Sequence, residues 1–261
     1  MPNIEKGMTG TPRKDLHVFY VLDTSGSMSG DKISTLNRAM EETTQALSEV
    51  AKSNADANLK IAVLEFNTGC NWITSNGPED LANDFIWDPL KAGGLTDVGT
   101  ALKELNSKLD RKAFLGSMMG SMFPIVIFMS DGFATDDYNK ALEEIRKNRW
   151  WQRATKIGFA FGDDADLNMI GNVVGNGEAV IRTNDLELFK KLLKFVSVTS
   201  SMLRSKPADS ENDTPSAEDL VKQAAKELDA DPAVTPSVPV TNPEPDPDPI
   251  PSGGWDDLGV W

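Results

Sequence analysis

The sequence predicts an α/β fold, a doubly wound and mostly parallel sheet with helices on both faces, followed by a disordered, acidic, proline-rich C-terminal tail. Three observations predict it. Four short apolar runs alternate with helical patterns, three of those runs are continuous rather than alternating, and the composition changes abruptly after residue 204.

The first run, VFYVL at 18–22, has the length of a strand buried on both faces. A helix is expected next, because Ile33, Leu36, Met40, Thr43, Leu47 and Val50 recur at spacings of three and four. The second run covers 59–66. Behind it, residues 70–74 are polar and aromatic and lead into Asn76, Gly77 and Pro78, which reads as a short antiparallel edge strand. Val98, Leu102, Leu105 and Leu109 mark a second helix, and the runs 125–129 and 157–161 are the third and fourth strands. Weaker helical patterns lie at 141–145 and 167–174. A further helix carries Leu186, Phe189, Leu192, Leu193 and Val196, with Asn184 and Asp185 as candidate caps. Strands that alternate with helices imply right-handed crossovers and the Rossmann-like, doubly wound order.

The chain divides at 203/204, giving a folded domain over 13–203 and a tail over 204–261. Residues 201–261 carry 4 basic and 13 acidic side chains, so most of the net charge of −14 belongs to that end. Ten of the 15 prolines lie beyond residue 206, and the stretch 243–251 alternates proline with acid or isoleucine, which builds no core. A short helix is expected over 216–230, because Ser216 and Asp219 stand at capping-box spacing. Near the end, Trp255, Leu258 and Trp261 flank Asp256 and Asp257, which marks these five residues as a candidate docking motif.

Composition narrows the function classes. No Lys/Arg stripe exists to neutralise phosphates, so nucleic acid and anionic membrane are not expected partners. A single cysteine, Cys70, excludes an internal disulfide, and the start MPNIEKGMTG lacks the apolar core of a signal peptide. No apolar run reaches the roughly 18 to 20 residues that span a bilayer. A soluble, cytoplasmic protein is expected.

The chemistry gathers at three turns. Asp23, Ser25 and Ser27 follow the first strand, Thr96 opens the second helix after Gly93 and Gly94, and Asp131 follows Ser130 at the end of the run 125–129. In a doubly wound sheet all three turns meet at the carboxyl edge, near the point where strand order reverses. Their pooled donors are two carboxylates and three hydroxyls, with no imidazole or thiolate. Such a set suits Mg2+, Mn2+ or Ca2+ and suits zinc poorly. Two carboxylates leave a divalent ion roughly neutral and still electrophilic, so an Asp or Glu from a partner protein is an apt further ligand.

In order and spacing these residues resemble the metal-ion-dependent adhesion site of the von Willebrand factor A (VWA) family, D-x-S-x-S followed by a later Thr and a later Asp before Gly. A narrower likeness joins VLDTSGSMSG, GGLTDVGTAL, PIVIFMSDGFATDDY and NDLELFKKLLKFVSVTSSM to the bacterial tellurite-resistance-associated, TerY-like A-domain proteins. That likeness implies a stress-response protein working beside a protein kinase and a PP2C-type phosphatase. It covers about residues 15–203 and not the tail, and Ser130 departs from the Thr more usual there.

Other features carry less. Asp97 reads as a helix-start residue or an outer partner of a hydroxyl. Asp163, Asp164, Asp166 and Asn168 lack the glycine and the closing Glu of a calcium loop and read as a polar loop with a helix cap. His17, the single histidine, has no evident nucleophile beside it. Trp150 and Trp151 form either a partner surface or helix-end packing. Three function classes follow. The leading one is a metal-dependent binding module rather than an enzyme; a metal-dependent hydrolase using the same cluster is the second. In the third the tail does the work as an adaptor or substrate, through phosphorylation at Thr214 or Thr235, or through self-association by way of Asp256 and Asp257.

Overall fold

A computed structural model describes residues 13–83, 85–117, 120–175, 179–205 and 215–228. The chain runs through β1 (Lys14–Asp23), α1 (Asp31–Ser53), β2 (Ala57–Asn67), β3 (Gly69–Trp72), β4 (Glu79–Asp80) and α2 (Val98–Lys108). It continues through β5 (Ile125–Ser130), α3 (Asn139–Arg146), α4 (Arg149–Arg153), β6 (Thr155–Phe161), α5 (Leu167–Val174), β7 (Val180–Thr183), α6 (Leu186–Ser205) and α7 (Ala217–Glu227).

The strands form one sheet in the order β3-β2-β1-β5-β6-β7, with β4 also paired to β2. β1 to β2, β1 to β5, β5 to β6 and β6 to β7 are parallel, and β3 and β4 lie antiparallel on β2. The edge strand expected over 70–74 is therefore present as β3. Three elements were not anticipated: the strands β4 and β7 and the short helix α4, whose Asn148 side chain caps it by accepting from the amides of Trp150 and Trp151.

Alternation along β1 assigns the two layers. Leu16, Val18, Tyr20 and Leu22 pack with Leu36, Met40 and Leu47 of α1 and with Leu192 and Val196 of α6. Phe19 and Val21 face the other way, onto Leu102 and Leu105 of α2, Leu142 and Ile145 of α3, and Ile170 and Val173 of α5. Both faces are covered, which is why β1 and β5 read as unbroken apolar runs.

α6 passes through 203/204 to Ser205, and α7 closes the first layer by burying Leu220, Val221 and Ala224. Its capping box is formed as expected: Ser216 Oγ accepts from the Asp219 amide and the Asp219 carboxylate accepts from the Ser216 amide. A helix of about three turns is marginal alone in water, so this apolar face is what holds it. The tail motif of Trp255, Asp256, Asp257, Leu258 and Trp261, the 229–230 end of the expected helix, and Thr214 and Thr235 lie outside the described residues.

Several smaller expectations resolve here. Asp166 caps α5 by accepting from the Met169 amide, and Asp185 caps α6 by accepting from Glu187 and Leu188 amides. Trp151 is buried in the second layer and half-buried Trp150 packs on Phe123, so this pair serves packing. Cys70 sits half-buried on the edge strand.

His17 lies near the amino end of β1, six residues and roughly 20 Å of strand from Asp23. It is buried, its Nδ1 has no partner among the described residues, and burial lowers its pKa to about 4. The unfolded chain then binds a proton between about pH 6.5 and pH 4 that the folded chain refuses. Folding stability from this group is fully present above pH 6.5 and is lost as pH falls toward 4, to the extent of about 3 kcal/mol. Urea unfolding from pH 4.5 to 7 is expected to show that slope in the wild type and a shallower one in His17→Phe; parallel slopes would refute the assignment.

Candidate metal centre

The parallel register of β1 and β5 ends at Leu22 opposite Met129, which brings Asp23 level with Ser130. Sheet order reverses between these two strands: β2 lies on one side of β1 and β5 on the other. Loops diverge there, leaving the crevice in which doubly wound sheets place their ligands.

Four of the five expected ligands are joined directly by hydrogen bonds. Asp23 Oδ1 accepts from the Ser25 amide at 2.8 Å, and its Oδ2 accepts from Ser130 Oγ at 2.6 Å. Ser25 Oγ and Ser27 Oγ lie 2.9 Å apart, and Ser27 Oγ donates to Asp131 Oδ1 at 2.7 Å. The other Asp131 oxygen, Oδ2, accepts from the Lys32 ammonium. Asp23, Ser25, Thr96 and Asp131 are buried and Ser27 is exposed, so the cluster opens to solvent on the Ser27 side.

Thr96 joins through the backbone. Gly93 donates to the Thr24 carbonyl at 2.8 Å and Gly26 donates to the Gly94 carbonyl at 3.0 Å, which fastens the second turn onto the first. Gly94 has φ +82°, and a Cβ there would stand 2.6 Å from Thr68 Oγ1, so both conformation and space call for glycine. Thr96 is then fixed from the third turn: its amide donates to Thr135 Oγ1 at 2.8 Å and its carbonyl accepts from the Thr135 amide at 2.9 Å.

Asp97 occupies the N-cap position of α2 without capping it. Its carboxylate instead accepts from the Gly69 amide and from Thr135 Oγ1, tying β3 to the third turn. The start of α2 is satisfied by Asp136, which accepts from the Gly99 and Thr100 amides. Lys32, Thr135 and Asp136 were not singled out from the sequence, and Ser130 was noted only as a variant position.

Burial pushes the Asp23 carboxyl above its ordinary range; hydrogen bonds from Ser130 and Ser25 work against that rise, and the neighbouring Asp131 adds to it. A buried carboxylate that is costly to ionise, beside a second carboxylate, is a site that gains from a cation. Among the described residues no group of three His, Cys, Asp or Glu side chains gathers into a metal cluster. The donor set here is of another kind, two carboxylates and three hydroxyls, and its all-oxygen chemistry fits a hard divalent cation.

A family model for the von Willebrand factor type A domain matches residues 17–194, a span that contains all three turns. The chain belongs to the von Willebrand factor type A domain family. The A domain is 29% identical over 174 residues to human inter-alpha-trypsin inhibitor heavy chain H6, covering 62% of this chain and 12% of that one. Its fold is similar to that of proximal thread matrix protein 1 from the mussel byssus, in a structure with a zinc-occupied MIDAS motif (TM-score 0.55, 18% identity, 71% of this chain and 48% of that chain). It is similar also to a von Willebrand factor type A protein from Catenulispora acidiphila (TM-score 0.51, 15% identity, 73% and 43%). The chain thus spans about half or less of the length of each of these relatives.

Proposed function

We propose that this A domain is a protein-binding module that holds a divalent cation on Asp23, Ser25, Ser27, Thr96 and Asp131 and offers it to an Asp or Glu of a partner. The observation that carries this reading is the convergence of two buried carboxylates and their hydroxyl neighbours from separate turns into one hydrogen-bonded cluster. A bound Mg2+, Mn2+ or Ca2+ would supply a hard electrophilic centre with affinity for a further carboxylate oxygen. The chain's own part is to hold the donors in place. Ser130 and the Ser25 amide fix the Asp23 carboxylate, Thr135 fixes the Thr96 backbone, and Ser27 carries the cluster to the surface. Leu95 and Phe133 flank Thr96 and Asp131 in sequence and are 54% and 66% exposed, an apolar setting that suits a protein partner better than a small hydrophilic acid.

Binding rather than catalysis is favoured by the state of the hydroxyls. Ser25 and Ser27 are bonded to each other and Ser27 to Asp131, so that in this reading both hydroxyls and the carboxylate beside them are engaged as metal donors, and His17, the single histidine, lies at the other end of β1. Calorimetric titration of the full chain is expected to show uptake of one Mg2+, Mn2+ or Ca2+ per chain, abolished by chelator. Zn2+ belongs in the same series, because the mussel relative holds it and the oxygen donors here disfavour it. No uptake of any of the four ions would refute the metal reading, and metal-dependent hydrolysis of a phosphate ester would move it to the hydrolase class.

We also place the protein in the cytoplasm, in a bacterial stress-response complex with a protein kinase and a PP2C-type phosphatase. The resemblance to tellurite-resistance-associated A domains supports this. The alternative partner is the tail. Asp256 and Asp257 between Trp255 and Leu258 combine a carboxylate with bulky apolar neighbours, as the exposed Leu95 and Phe133 invite. A synthetic peptide of residues 252–261 that competes with the protein partner would identify the tail as an internal ligand.

A further inference from the structure

The cation found against the proposed metal site is part of the chain. Lys32, the second residue of α1, places its ammonium on Asp131 Oδ2, the carboxylate oxygen that does not bond Ser27. Among the described residues it is the one cation paired with either site carboxylate. The Asp131 side chain is wholly covered whereas that of Lys32 is 33% exposed, so the pair joins a fixed anion to a cation with a way out to solvent. The lysine stem runs past Gly162 at the end of β6, where an added Cβ would stand 3.6 Å from Nζ and 3.7 Å from Cε. That turn has φ +99°, a conformation that favours glycine, and even a Cβ there would touch the lysine stem.

We infer that Lys32 is a resident counter-cation that neutralises Asp131 in the metal-free protein and must give way to the divalent ion, so that it sets the metal affinity of the site. This rests on the metal reading above. An ammonium and a divalent ion at the same carboxylate repel, and in a covered site the repulsion is screened far less than in water. Metal uptake is therefore an exchange: the ammonium withdraws on its flexible four-carbon stem as the ion arrives. Asp131 stays compensated in both states, and the intrinsic attraction of the oxygen cluster for metal is partly offset by the lost ion pair.

Opposite effects follow for one substitution. Lys32→Met removes the competitor, so divalent affinity of the full chain, measured by calorimetry with Mg2+ or Mn2+, is expected to rise about tenfold. In chelator the same variant leaves Asp131 buried without a counter-charge, so its melting temperature is expected to fall below that of the wild type, and metal is expected to raise it by more than it raises the wild type. Lys32→Arg keeps the charge and is expected to bind metal within threefold of the wild type. If Lys32→Met does not fold in chelator, Lys32→Gln, which keeps a hydrogen-bond donor without the charge, is measured in its place, again with the expectation of tighter binding. Unchanged or weaker metal binding in the neutral variants, with uptake intact in the wild type, would overturn the inference and leave the metal reading standing, as would tightening in Lys32→Arg equal to that in Lys32→Met. Absence of uptake in every variant and in the wild type would overturn both.

Discussion

Asp131→Ala is expected to weaken divalent-metal binding by at least about a hundredfold and to abolish metal-dependent capture of an acidic partner, while the domain remains folded. Asp131 is the carboxylate contributed by the third turn, and its two oxygens take the Ser27 hydroxyl and the Lys32 ammonium. Removing it leaves Ser27 exposed to solvent and Lys32 partly so, and both can recover their hydrogen bonds from water, which keeps the structural cost small. Asp23→Ala differs in that respect. It strands the Ser25 amide and the Ser130 hydroxyl in a buried place, yet it also removes a carboxylate that burial makes costly to ionise. Both variants are expected to lose metal, and only the Asp23 variant is expected to change the melting temperature in chelator noticeably. Calorimetry and thermal melting of the two proteins decide it: an Asp131→Ala chain that takes up Mg2+ or Mn2+ within threefold of the wild type would remove the carboxylate pair from the metal site.

The separation between what the sequence revealed and what it hid has a physical basis. Asp23, Ser25, Ser27, Thr96 and Asp131 were legible because each sits where a continuous apolar run ends or a helical period begins, and a doubly wound order sends strand ends and helix starts to one edge. The sheet was legible for the same reason: strands covered on both faces are apolar without interruption. Strands of two and four residues leave no such mark. β7 spans four residues and includes Arg182, which is only half-buried, and β4 is Glu79 and Asp80 alone. Lys32 was hidden for a different reason. A lysine in the first turn of an amphipathic helix is usually a solvated charge, and only the approach of β5, 99 positions away in sequence, turns it toward Asp131. Thr135 and Asp136 were hidden likewise, since what they hold is the backbone of residues 96–100 on another turn. Supporting groups act across the fold and are invisible to local pattern, whereas the groups they support stand at element ends.

The strongest effect on stability is expected at a residue remote from the proposed metal site. Gly158 lies in the middle of β6, paired with Phe128 on one side and Val180 on the other, in ordinary strand conformation, so its value is space rather than backbone freedom. A Cβ built there would stand 2.5 Å from Ile170 Cγ2, 3.3 Å from Val180 Cγ2 and 3.4 Å from Val174 Cγ1. Ile170 is fully buried on α5, and a β-branched side chain in a helix has essentially one χ1 rotamer, so it has nowhere to turn. Relief requires α5 to lift from the sheet, opening the contacts of Met169, Ile170, Val173 and Val174 within the second layer. Gly158→Val adds two methyls to that collision and is expected to destabilise the protein by more than about 3 kcal/mol. Gly158→Ala, with the Cβ alone, is expected to cost less than the valine variant and still lower the urea midpoint. A Gly158→Val protein with an unfolding midpoint equal to that of the wild type would show that α5 does not pack on β6 at this distance.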